Sequence, residues 1–155
     1  MYLDALGWLQ DSALGEFARS GGFWYAAINS AHILGSALLL GGIAVFDVLV
    51  LRRKGPAALA AAGAAIPIAA FGLALQVPTG VALLAADARS HGVNPAFLAK
   101  MGLIGLGLLN VALVHARMRT VALASRDLAP LRPFALVSLI AWTLALIAGR
   151  MIAYV

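Results

Sequence analysis

The sequence predicts an all-α integral membrane protein: a bundle of four transmembrane helices, preceded by a short amphipathic helix in the membrane interface. Hydrophobic residues make up 63% of the 155 residues and charged residues only 11%, whereas soluble domains are near half apolar and a quarter charged. The mean hydropathy is +0.98. Four apolar stretches are each longer than the ~20 residues that cross the hydrocarbon core. We interpret residues 1–155 as a single membrane domain.

The predicted helices follow one another with short breaks. Residues 2–19 form the interfacial helix, because apolar residues recur there at helical spacing among acidic ones. The transmembrane helices are predicted over 23–51, 57–86, 95–119 and 133–155. An aromatic belt at 23–25 opens the first of these helices, and the basic run 52–54 closes it. Pro67 and Pro78 lie inside the second helix as kinks that membrane helices tolerate.

The basic residues predict the orientation. The 52–54 turn and the 117–132 loop hold seven of the eleven Lys and Arg residues, whereas the opposite side has Arg19 and Arg89 outside the spans. Because positively charged loops stay in the cytoplasm, both termini are predicted to be non-cytoplasmic. The same bias explains the net charge of +5, and no nucleic acid is expected as a partner.

Several polar side chains fall within the predicted spans, where a charge costs at least ~2.5–3.5 kcal/mol. Helical periodicity gives the first and third helices a polar side each, with Asn29, Ser36 and Asn110 as the milder members. Depth, at ~1.5 Å per residue, separates the stronger members into two layers. The outer layer is basic and contains His32, Gln76, Lys100 and Arg150, and the inner layer contains Asp47 and His115.

The outer layer has no embedded acid, and a group of cations in low dielectric requires an anion. A cofactor carboxylate, a substrate anion or a lipid phosphate would each meet this need. In the inner layer, Asp47 has His115 or the basic helix ends as natural partners. Other interpretations stay open, because Lys100 and Arg150 are near enough to the interface to snorkel. A single membrane histidine also serves simply to bridge two helices.

The motifs of common enzymes are absent. The sequence has no P-loop, nucleophile elbow or zincin motif and no paired carboxylates. Cysteine is absent and the three histidines are widely spaced, which disfavours a structural zinc site. The chain is therefore not assigned an enzymatic activity of its own. Haem sites with two histidines do occur in helical bundles, but His32 and His115 differ in depth by ~15 Å.

Three segments of the chain carry a family resemblance: H-x-x-G-S-A-L-L-L-G-G-x-x-x-x-D-x-x-x-L-R from His32 to Arg52, N-P-A-F-L-A-K-M from Asn94 to Met101, and A-G-R-M-I-A-Y from Ala148 to Tyr154. In these segments the chain resembles a bacterial family of small four-span membrane proteins of unknown function (DUF6644, close to DUF2214). It implies no settled activity. More distantly, the chain is similar to cytochrome b561-like and copper-resistance D-like membrane domains, a similarity that implies haem.

Our hypothesis from the sequence is a small b-type haem or electron-transfer protein of the bacterial inner membrane. His32 is the expected axial ligand to the haem iron and His115 a weaker second ligand or proton-handling residue. Lys100 and Arg150 would hold the propionates or another anionic group, and Gln76 is a further expected cofactor-binding residue. One alternative is a non-catalytic membrane subunit or anchor of a larger complex. Another is a small-anion or quinone site in the outer layer. Expected partners are the lipid bilayer, a membrane or periplasmic redox partner, and further copies or subunits.

Overall fold

The computed structural model describes residues 1–52, 56–124 and 129–155, with the side chains of 56–59, 62 and 119–124 left out. Within these ranges α-helices dominate, and a 3₁₀ turn at Ala129–Leu131 precedes the last one. The helices are α1 (Tyr2–Gln10), α2 (Ala13–Arg19), α3 (Gly22–Arg52), α4 (Pro56–Ala86), α5 (Ala88–Val93), α6 (Pro95–Ala124) and α7 (Arg132–Met151). The predicted turn at 53–55 lies outside the described residues.

The helices α3, α4, α6 and α7 are long and apolar enough to cross a membrane. The protein is therefore an all-α, multi-pass membrane protein, as its composition predicts. The bounds differ in detail, since α6 continues to Ala124 rather than 119, and α7 ends at Met151 rather than 155. We call the end of the bundle at which α3 begins the outer end and the opposite one the inner end, in keeping with the predicted orientation.

The segment predicted as one interfacial helix over 2–19 is two helices, α1 and α2, with a break at Asp11 and Ser12. Ser12 has extended backbone angles, and its hydroxyl accepts a hydrogen bond from the Gly15 N–H at 3.3 Å. This arrangement is the usual start of a new helix. The apolar periodicity runs through both helices, so it gave no indication of the break.

The short helices α1, α2 and α5 form an outer cap over the end of α4. The Arg89 guanidinium donates to both carboxylate oxygens of Asp11, at 3.2 and 2.6 Å. Arg19 donates to the carbonyls of Ala85 and Ala86 at the end of α4, each at 3.2 Å. The hydrogen bond and charge of Arg89 hold the pKa of Asp11 below its usual value. The Asp11–Arg89 pair thus stabilises the cap at pH values above the ordinary aspartate pKa. This stabilisation is lost as the pH falls through the lowered pKa of Asp11.

Glycines bring α3 and α4 into close packing. A Cβ on Gly42 would lie 2.7 Å from the backbone nitrogen of Ala69 and 2.9 Å from the carbonyl oxygen of Ala65. Gly35 on α3 and Gly72 on α4 approach the opposite backbone in the same way. Small residues at such positions let membrane helices approach closely enough for extensive van der Waals contact.

The other two spanning helices complete the bundle unevenly. Helix α7 packs against both α3 and α6. Among the described residues, however, no Cα of α6 lies within 8 Å of a Cα of α3 or α4. The bundle is therefore closed along α4–α3–α7–α6 and open between α4 and α6. This opening positions the site described next.

Candidate functional site

A cavity of about 140 Å³ lies in the inner half of the bundle. It is lined by residues from all four spanning helices, including Leu73 of α4 and Val111 of α6, which lie on the two sides of the opening. Most of its wall is apolar. Its polar members are Asp47, Asn110, His115, Ser138 and Trp142. We call this space, defined by those five residues, the inner cavity.

Three of the polar side chains are almost completely withdrawn from the surface. Asp47 is 1% exposed, Ser138 4% and Asn110 5%. The Ser138 side chain of α7 lies close enough to the Asp47 carboxyl of α3 to interact with it. The Asn110 amide of α6 donates to the Phe134 carbonyl of α7 at 3.1 Å. Helix α7 is therefore held to both neighbours by polar contacts at the level of the cavity.

Two polar atoms on the cavity wall lack a partner. Among the described residues, three buried side-chain atoms form no hydrogen bond, and they are Asp47 Oδ2, Trp142 Nε1 and Arg132 Nε. The first two belong to residues of the inner cavity. A buried polar group without a partner costs about 1–3 kcal/mol. Two residues that line the same small space thus each have one buried polar atom without a partner, a carboxyl oxygen in Asp47 and an N–H donor in Trp142.

His115 lines the inner cavity but does not pair with Asp47 in the manner expected from the sequence. Its side chain is exposed, and its Nδ1 lies 3.1 Å from the Val111 carbonyl oxygen of the same helix. Neither of the salt bridges found among the described side chains includes Asp47. The inner layer therefore consists of an acid that contacts a serine, with the histidine elsewhere on the wall.

His32 lies between α3 and α4 in the outer half of the bundle and is half-buried. The Thr79 hydroxyl donates to the Leu75 carbonyl at 2.6 Å, so its oxygen must accept from His32. The His32 Nδ1–H therefore donates to Thr79 at 2.9 Å, and the lone pair of the neutral ring is on Nε2. A ring nitrogen held in this tautomer is the arrangement that a metal-ligating histidine uses.

Gln76 and Lys100 lie at the same outer level but are engaged with helix backbone. The Gln76 amide donates to the His32 carbonyl at 2.8 Å and also contacts the Ser36 hydroxyl. Lys100 is half-buried, and its ammonium lies against Gly149 of α7, where a Cβ would be 3.3 Å from Nζ. Lys100 is also within electrostatic range of the His32 ring.

Arg150 does not converge with the other predicted residues of the outer layer. It is exposed, and its guanidinium donates to the Tyr154 hydroxyl at 2.7 Å. The same guanidinium stacks over the Tyr154 ring, 5.0 Å from its centroid. This pairing with an aromatic ring near the chain end is the snorkelling geometry that stayed open at the level of the sequence. The outer layer thus brings His32, Gln76 and Lys100 together and leaves Arg150 aside.

The two histidines do not fit a shared haem. His115 is on the wall of the inner cavity with Asp47, and Asp47 lies 15 residues beyond His32 on α3, or ~22 Å along the helix. This separation is far too large for two ligands of one iron. Nor do the described residues include any group of three or more His, Cys, Asp or Glu side chains that would hold a metal ion. His32 and His115 both have Nε2 free as a ligand, because the Nδ1 of each donates to an oxygen acceptor, but only His32 of the two is half-buried.

Ser138 and Trp142 were not selected from the sequence. Both are uncharged, and the sequence reasoning ranked residues by the cost of placing charge in a membrane. They lie four residues apart on α7 and so share one face. One available signal was the position of Trp142, because membrane tryptophans usually lie at the interfaces rather than in the middle of a span. The ring packs against Gly107 of α6, where a Cβ would be 2.7 Å from Trp142 Cε2.

No family model, curated protein or solved structure matches the chain. The resemblance to a four-span family and the distant similarity to haem-binding domains therefore stay predictions. A function is therefore proposed from the geometry of the inner cavity and of the site around His32.

Proposed function

We propose that this protein binds a lipid-soluble small molecule in the inner cavity, with the polar end of that molecule beside Asp47 and Trp142. The observation that carries the proposal is the presence of two unpartnered buried polar atoms on the wall of one cavity. Ligand sites are commonly apolar concavities with a few convergent polar groups, and the inner cavity has this composition.

The size and access of the cavity support the same function. Its volume of about 140 Å³ is close to that of an engineered apolar cavity, ~150 Å³, that binds benzene. A ring-sized head group would fit inside it, and a longer tail would leave between α4 and α6. Since those two helices are spanning segments, that route leads into the hydrocarbon of the bilayer rather than into water. Molecules that partition into lipid therefore have direct access.

The polar wall favours ligand binding over a purely structural role. A structural anchor is stabilised when its buried polar groups are paired with one another, as Asn110 and Phe134 are. Asp47 and Trp142 instead each keep one buried polar atom without a hydrogen-bond partner, and both residues line the inner cavity. The anchor alternative would not need this arrangement, and the exposed apolar faces of the spans are explained by lipid alone.

Fluorescence of Trp142 tests this proposal directly. The chain has three tryptophans, and Trp8 and Trp24 are exposed in the outer cap and at the start of α3. In a Trp8→Phe, Trp24→Phe background, we expect menadione, a neutral quinone of suitable size, to quench Trp142 emission saturably. Val111→Phe partly fills the cavity and is expected to weaken the binding of menadione roughly tenfold, or about 1.4 kcal/mol.

Leu113→Phe is the matched control, because Leu113 is 45% exposed on the same helix and is not part of the cavity wall. It should leave the quenching unchanged. Quenching that never saturates, or that is equal in the Val111→Phe and Leu113→Phe proteins, would mean that menadione reaches Trp142 only by dissolving in lipid. That result would contradict the proposal.

A second candidate function is haem binding at His32. The specific observation in its favour is the half-buried position of His32 between α3 and α4, together with its tautomer, which Thr79 fixes with the Nε2 lone pair available. Lys100, within electrostatic range of the His32 ring, would supply a cation for a haem carboxylate. When bound, haem would supply one-electron chemistry. His115 and Arg150 have no part in this version, because the first is at another depth and the second is paired with Tyr154.

The absorption spectrum of protein purified from haem-replete cells tests the second candidate. A Soret band is expected for the wild type, and its loss is expected in His32→Ala. Arg150→Ala should retain the band, since Arg150 is engaged with Tyr154. Colourless wild-type protein would exclude haem binding, and a band that survives His32→Ala would exclude this ligand.

The proposed location is a bacterial inner membrane, with both termini on the non-cytoplasmic side. The exposed ends of α3 and α6 near the inner end carry Arg52 and Arg117, which agrees with a cytoplasmic inner end. Since the chain has no cysteine, a Ser90→Cys protein has a single thiol in the outer cap. A membrane-impermeant maleimide should label it in cells whose inner membrane is intact. Labelling that requires permeabilisation of this membrane would reverse the orientation.

A further inference from the structure

We propose that the ligand of the inner cavity is a lipophilic organic cation, whose positive charge lies beside the unpaired oxygen of Asp47. This inference rests on the proposed function and specifies the chemical class of its ligand. The inner cavity differs from the outer basic layer in the charge of the ligand it would attract. The outer layer would attract anions, and the inner cavity would attract cations.

The charge of Asp47 is the first argument. Asp47 is 1% exposed, and its Oδ2 has no hydrogen-bond partner. Its contact with Ser138 is with a neutral hydroxyl. No basic side chain among the described residues forms an ion pair with it. A buried carboxylate is costly unless it is paired, and a cationic ligand supplies the missing charge.

The remaining wall of the inner cavity suits a cation with aromatic or aliphatic substituents. Phe46 and Trp142 offer aromatic rings, which attract organic cations through their π faces. Leu39, Ile43 and Leu73 contribute aliphatic surface. An anion would meet the Asp47 carboxylate and is therefore disfavoured. A strongly hydrated cation such as an ammonium ion would lose its water without enough polar groups to replace it.

The other charged groups near the inner cavity do not neutralise Asp47. Helix α6 contributes His115 to the wall, whereas the described wall residues of α4 and α7 include no titratable group. Arg52 and Arg117 are exposed and Arg132 of α7 is half-buried, and none of the three is part of the wall. Because Asp47 carries either a proton or the charge that pairs with the ligand, cation binding should weaken as the pH falls. His115→Gln is the variant that separates a contribution of His115 from that of Asp47.

Two probes of nearly identical shape isolate the effect of charge. 1-Methyl-4-phenylpyridinium is a permanent cation, and 4-methylbiphenyl is its neutral counterpart. Calorimetric titration of the protein in phosphatidylcholine nanodiscs, with empty nanodiscs as the blank, measures both affinities. We expect the cation to bind at least ~tenfold more tightly than the neutral probe in the wild type. Asp47→Asn should remove that preference and leave the affinity for 4-methylbiphenyl within about threefold of the wild type.

The outcomes separate the ligand class from the site. A preference for the cation that is lost in Asp47→Asn, and that keeps its pH dependence in His115→Gln, supports the proposal. If 4-methylbiphenyl binds and Val111→Phe weakens it, but the cation binds no more tightly, the cation inference is wrong and the inner cavity stands as a site for neutral molecules. If neither probe binds to protein whose melting temperature is normal, both the inference and the proposed function are wrong.

Discussion

Gly42→Ala is expected to lower the stability of the bundle markedly, whereas the same change at the neighbouring Gly41 should not. A Cβ at position 42 would meet the backbone of α4 at 2.7 Å from Ala69 N and 2.9 Å from Ala65 O. Backbone atoms do not move aside as a flexible side chain does, so the methyl group would force α3 and α4 apart. Overpacking of this kind costs about 1–3 kcal/mol. Separation of the helices would also remove the van der Waals contacts on which membrane helices depend for association.

Gly41→Ala is a close control, because the space around a Cβ at position 41 contains no described atom within 4 Å. Alanine is favoured over glycine in a helix by roughly 1 kcal/mol, so this protein should be as stable as the wild type or slightly more so. Thermal unfolding of both variants in the same detergent measures the difference. Equal melting temperatures for Gly41→Ala and Gly42→Ala would show that α3 and α4 do not pack through Gly42.

This contrast shows what the sequence could predict about the fold. The four spans follow from hydropathy and length, because a membrane imposes both requirements on every spanning helix. The first span also contains the adjacent glycines Gly41 and Gly42. The sequence does not show which of the two glycines faces α4, since apolar residues flank the pair on both sides. Nor does it show that α6 lies away from α3 and α4, because that depends on pairwise packing.

The candidate site was predictable where charge was involved and not where it was absent. The depth argument placed Asp47 and His115 at one inner level, and the structure lines one cavity with both. It also suggested that they pair, but Asp47 contacts Ser138 instead. The direction in which each side chain points from its helix decides such a contact. The depth of a residue in the membrane carries no information on that direction.

The neutral residues of the inner cavity could not be predicted from charge. Trp142 contributes an unpartnered donor to the cavity wall, and Ser138 contributes the hydroxyl beside Asp47. A search that ranks residues by the cost of burying charge does not select either of them. A search for tryptophan in the middle of a span would have selected one.

Asp47→Leu is expected to make the protein more stable while it weakens the binding of a cation to the inner cavity. The wild-type protein keeps an acid in an apolar cavity with one oxygen unpaired. Leucine removes the cost of dehydrating that group and adds apolar surface to a wall that already contains Ile43, one helical turn away. Replacement of buried ionic groups by apolar residues of similar volume is often neutral or stabilising by 1–4 kcal/mol. The cavity beside Asp47 has room for the slightly larger side chain.

The same substitution removes the only acid on the described wall of the inner cavity. We therefore expect 1-methyl-4-phenylpyridinium to bind Asp47→Leu at least ~tenfold more weakly than the wild type, which corresponds to about 1.4 kcal/mol. Melting temperature and binding measured on one preparation should change in opposite directions. A stable protein that no longer binds is the pattern expected when an active group is kept at the expense of stability.

Ser138→Ala provides the control that separates function from structure. It deletes the hydroxyl beside Asp47 and leaves the carboxyl in place. If the Asp47–Ser138 contact were mainly structural, Asp47→Leu and Ser138→Ala would both lower the melting temperature, because each removes one partner of a buried polar contact. If Asp47 is instead kept for its ligand, Ser138→Ala should lower the melting temperature and Asp47→Leu should raise it. Opposite signs at two ends of one polar contact would be difficult to explain by packing alone, since both changes replace a polar side chain by an apolar one at nearly the same place.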